Sequence, residues 1–309
     1  MADRTRAASG AARPPRKGTE PARRRLRDPI TGLLFVLPML VLFLIFKIFP
    51  TLGAAGMSLT NWNIGGDWSF VGADNYARLV NDPNFWSSLR ATLVYTAIYV
   101  PLVMAVALGS ALLLNAVVFL RGLFRGILFL PYVTSFVFAG LIWRWIYEFD
   151  GLINGVLAKL DLGPVGFMER TELVLPALAV VSCWKGFGYS MLILLAGLKA
   201  IPGSYLEAAK VDGAGPWQRF RGVTLPLLKP AIFFVLVIET IASFQVFDTI
   251  YVMTGGGPAK ASYTLIYGIF ERGFRFWEFG YAATWGMVLF AIVLAVSLIQ
   301  RRFVGKENT

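Results

Sequence analysis

The chain has 309 residues, of which 57% are hydrophobic and 15% are charged, and its formal net charge is +11. A soluble domain carries about a quarter charged residues, so this composition excludes an ordinary soluble enzyme. The chain contains no histidine, which excludes His-based catalytic triads and His metal ligands, and its single cysteine, Cys183, excludes a disulfide within the chain.

Apolar runs of about 20 residues recur along the sequence, and each is long enough to cross a bilayer about 30 Å thick. The runs are continuous instead of alternating, so they predict membrane-spanning helices and not the strands of a barrel. We therefore expect residues 29–309 to form an all-α, polytopic membrane helix bundle. Its six predicted transmembrane helices are residues 30–50, 91–114, 126–147, 175–197, 231–253 and 278–300.

Residues 1–28 hold nine of the 29 Lys and Arg residues, and we predict that they form a basic, disordered cytoplasmic tail. Threading the chain from a cytoplasmic N-terminus places nineteen of the 29 basic residues on the cytoplasmic side. This excess of positive charge inside predicts that both termini are cytoplasmic. It also explains the net charge without nucleic acid as a partner.

A polar insert, residues 199–230, lies between the fourth and fifth predicted transmembrane helices. Ser204 and Glu207 have the three-residue spacing of a capping box, which predicts the first turn of a short helix. Gly213 follows at the point where that helix would end in a left-handed residue. A connection with so many residues typical of helix starts and helix ends predicts a docking element for another protein.

A second short helix is predicted in the same insert. Pro216 can open this helix at its first position, and Gly222 can end it. The first helix and its turn carry small side chains at Ala208, Ala209 and Ala214. The surface of another protein could therefore approach the backbone closely.

Residues 207–230 resemble the EAA loop of the membrane subunits of ABC importers. The resemblance is to binding-protein-dependent sugar permeases of the maltose and glycerol-phosphate type, and it covers roughly residues 30–305. Four further phrases carry it, namely Phe-Val-Gly-Ala-Asp-Asn-Tyr at 70–76, Phe-Leu-Pro-Tyr at 129–132, Gly-Leu-Lys-Ala-Ile-Pro at 197–202 and Thr-Gly-Gly-Gly-Pro at 254–258.

The resemblance implies the type I importer permease fold and a multi-pass subunit in the cytoplasmic membrane of a bacterium or archaeon. Such a subunit forms half of the translocation pathway for a sugar or sugar-like solute. The implied partners are a second, homologous permease in a heterodimer, two ATPase subunits and an extracytoplasmic solute-binding protein.

The resemblance also implies that the 207–230 loop docks in a cleft of the ATPase and couples the two subunits. Within the loop Glu207 would cap a helix, Gly213 would permit the sharp turn, and two aromatic residues would anchor the second helix. The predicted coupling residues are Glu207, Ala208, Ala209, Asp212, Gly213, Ala214, Trp217 and Phe220.

A G-x-x-x-x-G-K-[ST] phosphate loop is missing from the sequence, so we expect that this chain is not an enzyme and does not itself hydrolyse ATP. We predict no catalytic residue, no metal site and no cofactor bound by this chain. ATP and Mg²⁺ are expected on the partner ATPase.

The resemblance places the solute-contacting residues on the helices on either side of the coupling loop. Matched residue by residue, they are Ser182, Trp184, Lys185, Gly186, Tyr189, Glu239, Ser243, Gln245, Val246 and Asp248. The aromatic residues of this set offer rings that stack on a sugar, and its acids and amide offer hydrogen-bonding groups. The alternative is that its charged residues form internal ion pairs that hold the bundle together.

Glu239 and Asp248 lie nine residues apart, which places them on opposite sides of a straight helix. Either the helix is irregular between them or only one acid faces the pathway. The other acid would then pair with Lys185 or with the partner permease. All three charged residues depart from the neutral residues of maltose permeases, which argues against maltose as the substrate.

An ion-coupled secondary transporter is the main alternative function, with Glu239 and Asp248 as a proton or sodium site. This alternative leaves the coupling loop unexplained, and the sequence shows no convincing internal repeat of the kind that builds such transporters. An intramembrane enzyme would need a catalytic constellation, which the sequence does not offer.

Overall fold

The computed structural model describes residues 29–304 other than 67, 117 and 118. The predicted tail of residues 1–28 lies outside the described residues.

The described chain is almost entirely helical, which confirms the predicted all-α class. Three π-helical turns are inserted among the α-helices, at Leu44–Ile48, Phe220–Thr224 and Glu271–Arg275. The α-helices are α1 (Pro29–Phe43), α2 (Phe49–Met57), α3 (Asp74–Val80), α4 (Pro83–Ala116), α5 (Arg121–Val133), α6 (Phe136–Tyr147), α7 (Leu152–Lys159), α8 (Thr171–Ala200), α9 (Gly203–Val211), α10 (Pro216–Arg219), α11 (Leu225–Phe244), α12 (Asp248–Met253), α13 (Leu265–Phe270) and α14 (Phe279–Val304).

Several of these helices are long and apolar enough to cross a membrane. Five candidates among the described residues meet the length and hydropathy of a span without a bent pair, namely Gly32–Met57, Pro83–Ala116, Thr171–Ala200, Pro216–Met253 and Phe279–Arg302. The bent pair formed by α5 and the run that begins with α6 supplies a further span. When that pair is taken as one span, the predicted number of six transmembrane segments is confirmed.

The third predicted span is wrong as a continuous helix, because the chain bends by 93° between α5 and α6. Thr134 and Ser135 adopt extended backbone angles, with ψ of 153° and 138°. The Thr134 hydroxyl donates a hydrogen bond to the carbonyl oxygen of Pro131 over 2.7 Å and so closes the end of α5. The mean hydropathy of the segment is high across the break, so hydropathy alone does not reveal it.

Helices α4 and α8 pack along each other at the centre of the fold. The residues at their contact are completely buried, and they include Val103, Ala107, Leu178, Met191 and Leu194. Small side chains on α4 let the two helices approach, and the larger ones on α8 fill the space by dispersion contacts. Helices α5 and α11 pack against the same α8, which places the four helices around a common space.

Asp82 joins the connection before α4 to the residues around the start of α14. Its carboxylate accepts hydrogen bonds from Arg272 Nη2 (3.0 Å), from the Tyr281 hydroxyl (2.9 Å) and from the backbone N–H of Asn84 (2.9 Å). Burial alone would raise the pKa of Asp82, but these three partners together hold it below its usual value. The network fixes loops that are far apart in sequence.

The insert between α8 and α11 forms two short helices, as predicted, but α9 starts differently. It begins at Gly203 after Pro202, which has an extended ψ of 132° and makes no side-chain cap. The predicted capping box of Ser204 and Glu207 is therefore wrong, because both residues lie inside the helix. The fixed φ of proline sets the helix start ahead of Ser204.

The turn between α9 and α10 follows the sequence prediction more closely. Gly213 has a φ of +81°, which confirms the left-handed residue at the end of α9. Pro216 is the first residue of α10, as predicted. The predicted helix end at Gly222 is wrong, because this residue lies in the π-helical turn Phe220–Thr224, which continues directly into α11.

Candidate functional site

A cavity of about 250 Å³ opens among α4, α5, α6, α8 and the α11–α12 pair. Aromatic rings and a small number of polar side chains form its wall, which is the usual make-up of a small-molecule site. Eight of the ten predicted solute-contacting residues lie in this wall, namely Ser182, Lys185, Gly186, Tyr189, Glu239, Gln245, Val246 and Asp248. Their contact with a solute stays a prediction.

Glu239 on α11 is buried in the cavity wall, with 4% of its surface exposed. The Tyr99 hydroxyl donates to Glu239 Oε2 over 2.7 Å, and the Ser190 hydroxyl donates to Oε1. The two hydroxyls come from α4 and α8, so one carboxyl group joins three helices. Gly186 leaves room for this arrangement, since a Cβ at that position would lie only 3.0 Å from the Tyr99 hydroxyl oxygen.

Lys185 on α8 is also buried in the wall, with 4% of its surface exposed. Its ammonium group donates to the carbonyl oxygen of Tyr132 over 2.7 Å and lies 4.4 Å from the centre of the Phe136 ring. Among the described residues it forms no ion pair with Glu239 or Asp248, so the expected internal pair is not formed. The carbonyl and the ring face hold the cation in its place.

The chain leaves helical geometry between Glu239 and Asp248. Helix α11 ends at Phe244, and Phe247 has a φ of −132°, so a new helix begins at Asp248. The predicted continuous fifth span is wrong at this point, and the expected alternative of an irregular helix is confirmed. Because of the break, both acids reach the same cavity, and the Asp248 side chain is exposed there.

Two predicted solute-contacting residues lie outside the cavity wall. Trp184 meets Trp143 edge-on, with ring centres 5.6 Å apart. The Ser243 hydroxyl is buried against α4 and donates to Thr96 Oγ1 over 3.0 Å. The sequence places them on the right helices, but their side chains pack against neighbouring helices instead of the cavity.

Helices α9 and α10 form an exposed pair beside the helices that bear the cavity. Val211, Trp217 and Tyr205 on this pair are 87%, 68% and 56% exposed. A Cβ on Gly213 would meet no atom within 4 Å, so only the left-handed backbone requires glycine there. The turn is closed by the Ala214 N–H, which donates to the Ala209 carbonyl oxygen over 2.9 Å.

The other predicted coupling residues lie on the same surface. Trp217 and Phe220 contact each other with ring centres 5.4 Å apart. The backbone N–H of Gly215 donates to Gln218 Oε1 over 2.7 Å and fixes the start of α10. The side chains of Glu207, Ala208 and Asp212 are exposed, and those of Ala209, Ala214 and Phe220 are half-buried.

Residues 102–306 match the model of the family described as the binding-protein-dependent transport system inner membrane component. The match covers most of the chain and includes α8 to α12, which carry all of the predicted coupling and solute-contacting residues. The chain belongs to this family.

Curated relatives of this permease are similar over nearly their whole length. The lactose transport system permease protein LacF of Rhizobium radiobacter is 35% identical over 277 residues, which cover 88% of this chain and 93% of LacF. The sulfoquinovosyl glycerol transport system permease protein SmoG of Agrobacterium fabrum is 33% identical over 286 residues, which cover 92% of this chain and 93% of SmoG.

A solved structure shares the fold of this permease. It is the crystal structure of a bacterial ABC transporter involved in the import of the acidic polysaccharide alginate. One of its chains superposes with a TM-score of 0.76 at 24% identity, covering 91% of this chain and 96% of that one. The importer permease fold expected from the sequence is therefore confirmed, and the family gives no support to an ion-coupled secondary transporter.

Sequence reasoning missed half of the cavity wall of this permease. The missed residues are Tyr95, Tyr99, Tyr132, Phe136, Ile238, Ala242, Phe247 and Thr249. A signal was present for two of them, because Tyr95 and Tyr99 are four residues apart on α4 and share a helix face. Tyr132 lies in the Phe-Leu-Pro-Tyr phrase, whose place beside the cavity depends on the bend after α5 and is not visible in the sequence.

Proposed function

We propose that this chain is the permease subunit of an ABC importer for a sugar or sugar-like solute and that it forms half of the translocation pathway. The observation that carries the proposal is the family match over the helices that bear both the cavity and the exposed α9–α10 pair. The names of LacF and SmoG, a lactose and a sulfoquinovosyl glycerol permease, support the solute class.

The chemistry of the cavity fits a carbohydrate. Tyr132 and Tyr189 stack with ring centres 5.2 Å apart and remain 43% and 36% exposed, so ring faces are available to the apolar face of a sugar. Gln245 and Asp248 are exposed in the same wall and offer an amide and a carboxylate to hydroxyl groups. Weak binding by a few such groups is enough in the cavity, because a binding protein would deliver the solute.

The connections of α9 and α10 give a mechanical route from the exposed pair to the cavity. Helix α8 ends at Ala200, two residues before α9, and α10 continues through a π-helical turn into α11. Fifteen residues of helix separate Lys185 from Ala200, a distance of about 22 Å. A displacement of the pair by an ATPase would therefore move the two helices that carry Lys185 and Glu239.

We further propose that two ATPase subunits bind ATP and Mg²⁺, that a second permease completes the pathway as a heterodimer, and that an extracytoplasmic binding protein supplies the solute. The basic residues place both termini and α9–α10 in the cytoplasm on this proposal. Residues 58–82 and 254–278 would then face outward.

The proposal is tested by uptake in the native host. Deletion of the gene for this chain should abolish uptake of at least one radiolabelled solute among lactose, trehalose, raffinose, maltotriose and glycerol 3-phosphate. The wild-type gene should restore this uptake, and depletion of cellular ATP should remove it. Solute accumulation by the purified chain alone in proteoliposomes, driven by a sodium or proton gradient without ATP, would contradict the proposal.

A further inference from the structure

A continuous series of aromatic rings leads away from the cavity wall. Phe247, which lines the cavity, lies 5.0 Å from Phe270 between ring centres. Phe270 stacks on Phe274 at 5.7 Å, and Phe274 meets Phe279 edge-on at 6.1 Å. Each ring touches the next, so the series has no gap.

The series ends among tryptophans in two connecting segments. Phe279 lies 5.8 Å from Trp62, which precedes α3, and 6.2 Å from Trp277, which precedes α14. Tyr251 on α12 branches from it and stacks on Phe247 at 5.2 Å. We name the rings of Trp62, Phe247, Tyr251, Phe270, Phe274, Trp277 and Phe279 the aromatic strip.

Four of the seven rings of the aromatic strip are exposed, and the other three, Phe247, Phe270 and Phe279, are half-buried. Phe274 is 60% exposed, Trp277 48%, Tyr251 46% and Trp62 43%. The core aromatic residues of the chain differ sharply, since Trp285 on the neighbouring α14 is completely buried. Packing of the described residues therefore leaves the rings of Trp62, Tyr251, Phe274 and Trp277 partly open.

Charged side chains flank the strip, which argues against a position in the hydrocarbon core of a membrane. Arg275 lies 5.9 Å from the centre of the Phe270 ring and pairs with Glu271 over 3.4 Å. Glu278 beside Trp277 pairs with Arg272 over 3.2 Å. Charges at this density are costly in hydrocarbon, so we place the strip outside the hydrocarbon core, within reach of water.

We propose that the aromatic strip is the path by which a carbohydrate enters the cavity, and that the transported solute is an oligosaccharide with several pyranose rings. This inference rests on the proposed function. The apolar face of a pyranose carries C–H groups with a small positive charge, which meet the negative face of an aromatic ring. Rings in unbroken contact let one sugar unit after another stay stacked as the chain advances. A small polyol phosphate would have no use for such a series.

Phe274 gives the sharpest test, because it is the most exposed ring of the strip and contributes least to the core. Three variants separate stacking from bulk. Phe274→Tyr keeps the ring, Phe274→Leu keeps apolar volume without a ring, and Phe274→Ala removes both. Phe149→Ala is the matched control, since Phe149 is 52% exposed at the end of α6 and does not belong to the strip.

The variants are compared in the native host carrying the complete transporter. The probes are glucose and glycerol 3-phosphate, the series maltose, maltotriose and maltotetraose, and the series lactose, raffinose and stachyose. For the oligosaccharides that the wild type carries, Phe274→Leu and Phe274→Ala should lower the maximal uptake rate by roughly three- to tenfold, the equivalent of one lost ring contact, with little change in KM, which the proposed binding protein sets. Phe274→Tyr and Phe149→Ala should stay within about twofold of the wild type.

Two results would overturn the inference. One is a wild-type transporter that carries glucose or glycerol 3-phosphate but no oligosaccharide. The other is an equal maximal uptake rate in the Phe274→Leu, Phe274→Tyr and Phe149→Ala variants. Either result, obtained with uptake that still depends on ATP, leaves the proposed function standing, whereas loss of ATP dependence would count against that function itself.

Discussion

The Tyr99 hydroxyl donates a hydrogen bond to Glu239 Oε2 over 2.7 Å and so joins α4 to α11 at the cavity wall. These two residues are 140 positions apart in the sequence, and both are nearly completely buried. A buried carboxyl group left without a donor loses stability, because neither water nor lipid replaces the missing bond. The pair therefore supports the fold and sets the position of an acceptor in the cavity.

We expect Tyr99→Phe to lower the free energy of unfolding by about 1–3 kcal/mol, since it leaves one oxygen of Glu239 unsatisfied. Thermal unfolding of the purified chain in detergent, followed by tryptophan fluorescence, measures the effect. Tyr189→Phe is the control, because Tyr189 lies in the same wall but its hydroxyl holds no carboxylate. Equal melting temperatures for the two variants would contradict this role of Tyr99.

We expect Lys185 to contribute more to solute uptake through the cavity than to the stability of the fold. Lys185→Met keeps the length of the side chain and removes a buried cation that has no ion-pair partner among the described residues, so stability should be unchanged or higher. Solute uptake should fall at the same time, because the cavity loses a hydrogen-bond donor. A variant that unfolds more easily and transports normally would show that Lys185 is structural.

Gly213 and Gly222 provide a matched pair of substitutions. Gly213 has a φ of +81°, so Gly213→Ala should cost roughly 1–2 kcal/mol of local stability and reduce transport. Gly222 lies in helical backbone with open space around it, so Gly222→Ala should be neutral or stabilising. Hydrogen exchange of the α9–α10 backbone and uptake rates are the measurements. Similar effects at both positions would contradict the role given to the left-handed turn.

The network around Asp82 predicts a pH dependence of stability. The pKa of Asp82 is lowered in the folded chain, so its contribution is complete above the unfolded value of about 4 and is lost as the pH falls through the lower folded value. Unfolding midpoints measured from neutral pH into the acid range should fall less steeply for Asp82→Asn than for the wild type. The exposed Asp150→Asn control should follow the wild-type curve, and an unchanged slope in Asp82→Asn would rule the network out as its cause.

The sequence predicted the helical class, the number of spans and the location of the α9–α10 pair, because these follow from apolar run length, proline position and one glycine with a left-handed backbone. It did not predict the bend at Thr134 and Ser135, and it offered the irregular helix before Asp248 only as one of two alternatives. Both breaks lie inside segments of high mean hydropathy, and mean hydropathy carries no information about backbone angles. They are set by how α5, α8 and α11 pack.

In the candidate cavity, too, some residues could be predicted from the sequence and others depend on how the helices pack. Residues on α8 and α11 could be assigned to the cavity because the family resemblance places the solute-contacting residues on the two helices that flank the 207–230 loop. The tyrosines of α4 and α5 depend on which helix lies beside α8, and that neighbour is a property of the tertiary fold. For the same reason helical periodicity did not reveal that Trp184 and Ser243 pack against neighbouring helices.

The measurement that tests the central claim most directly is co-purification of the tagged full-length chain from its native host, with the wild type compared with Gly213→Trp and Gly155→Trp. Gly155 also has open space around it but lies on α7, away from the α9–α10 pair. The account predicts that an ATPase subunit accompanies the wild type and Gly155→Trp and is lost from Gly213→Trp, while a second permease stays bound in all three. An ATPase retained equally by all three variants, or absent from the wild type, would contradict it.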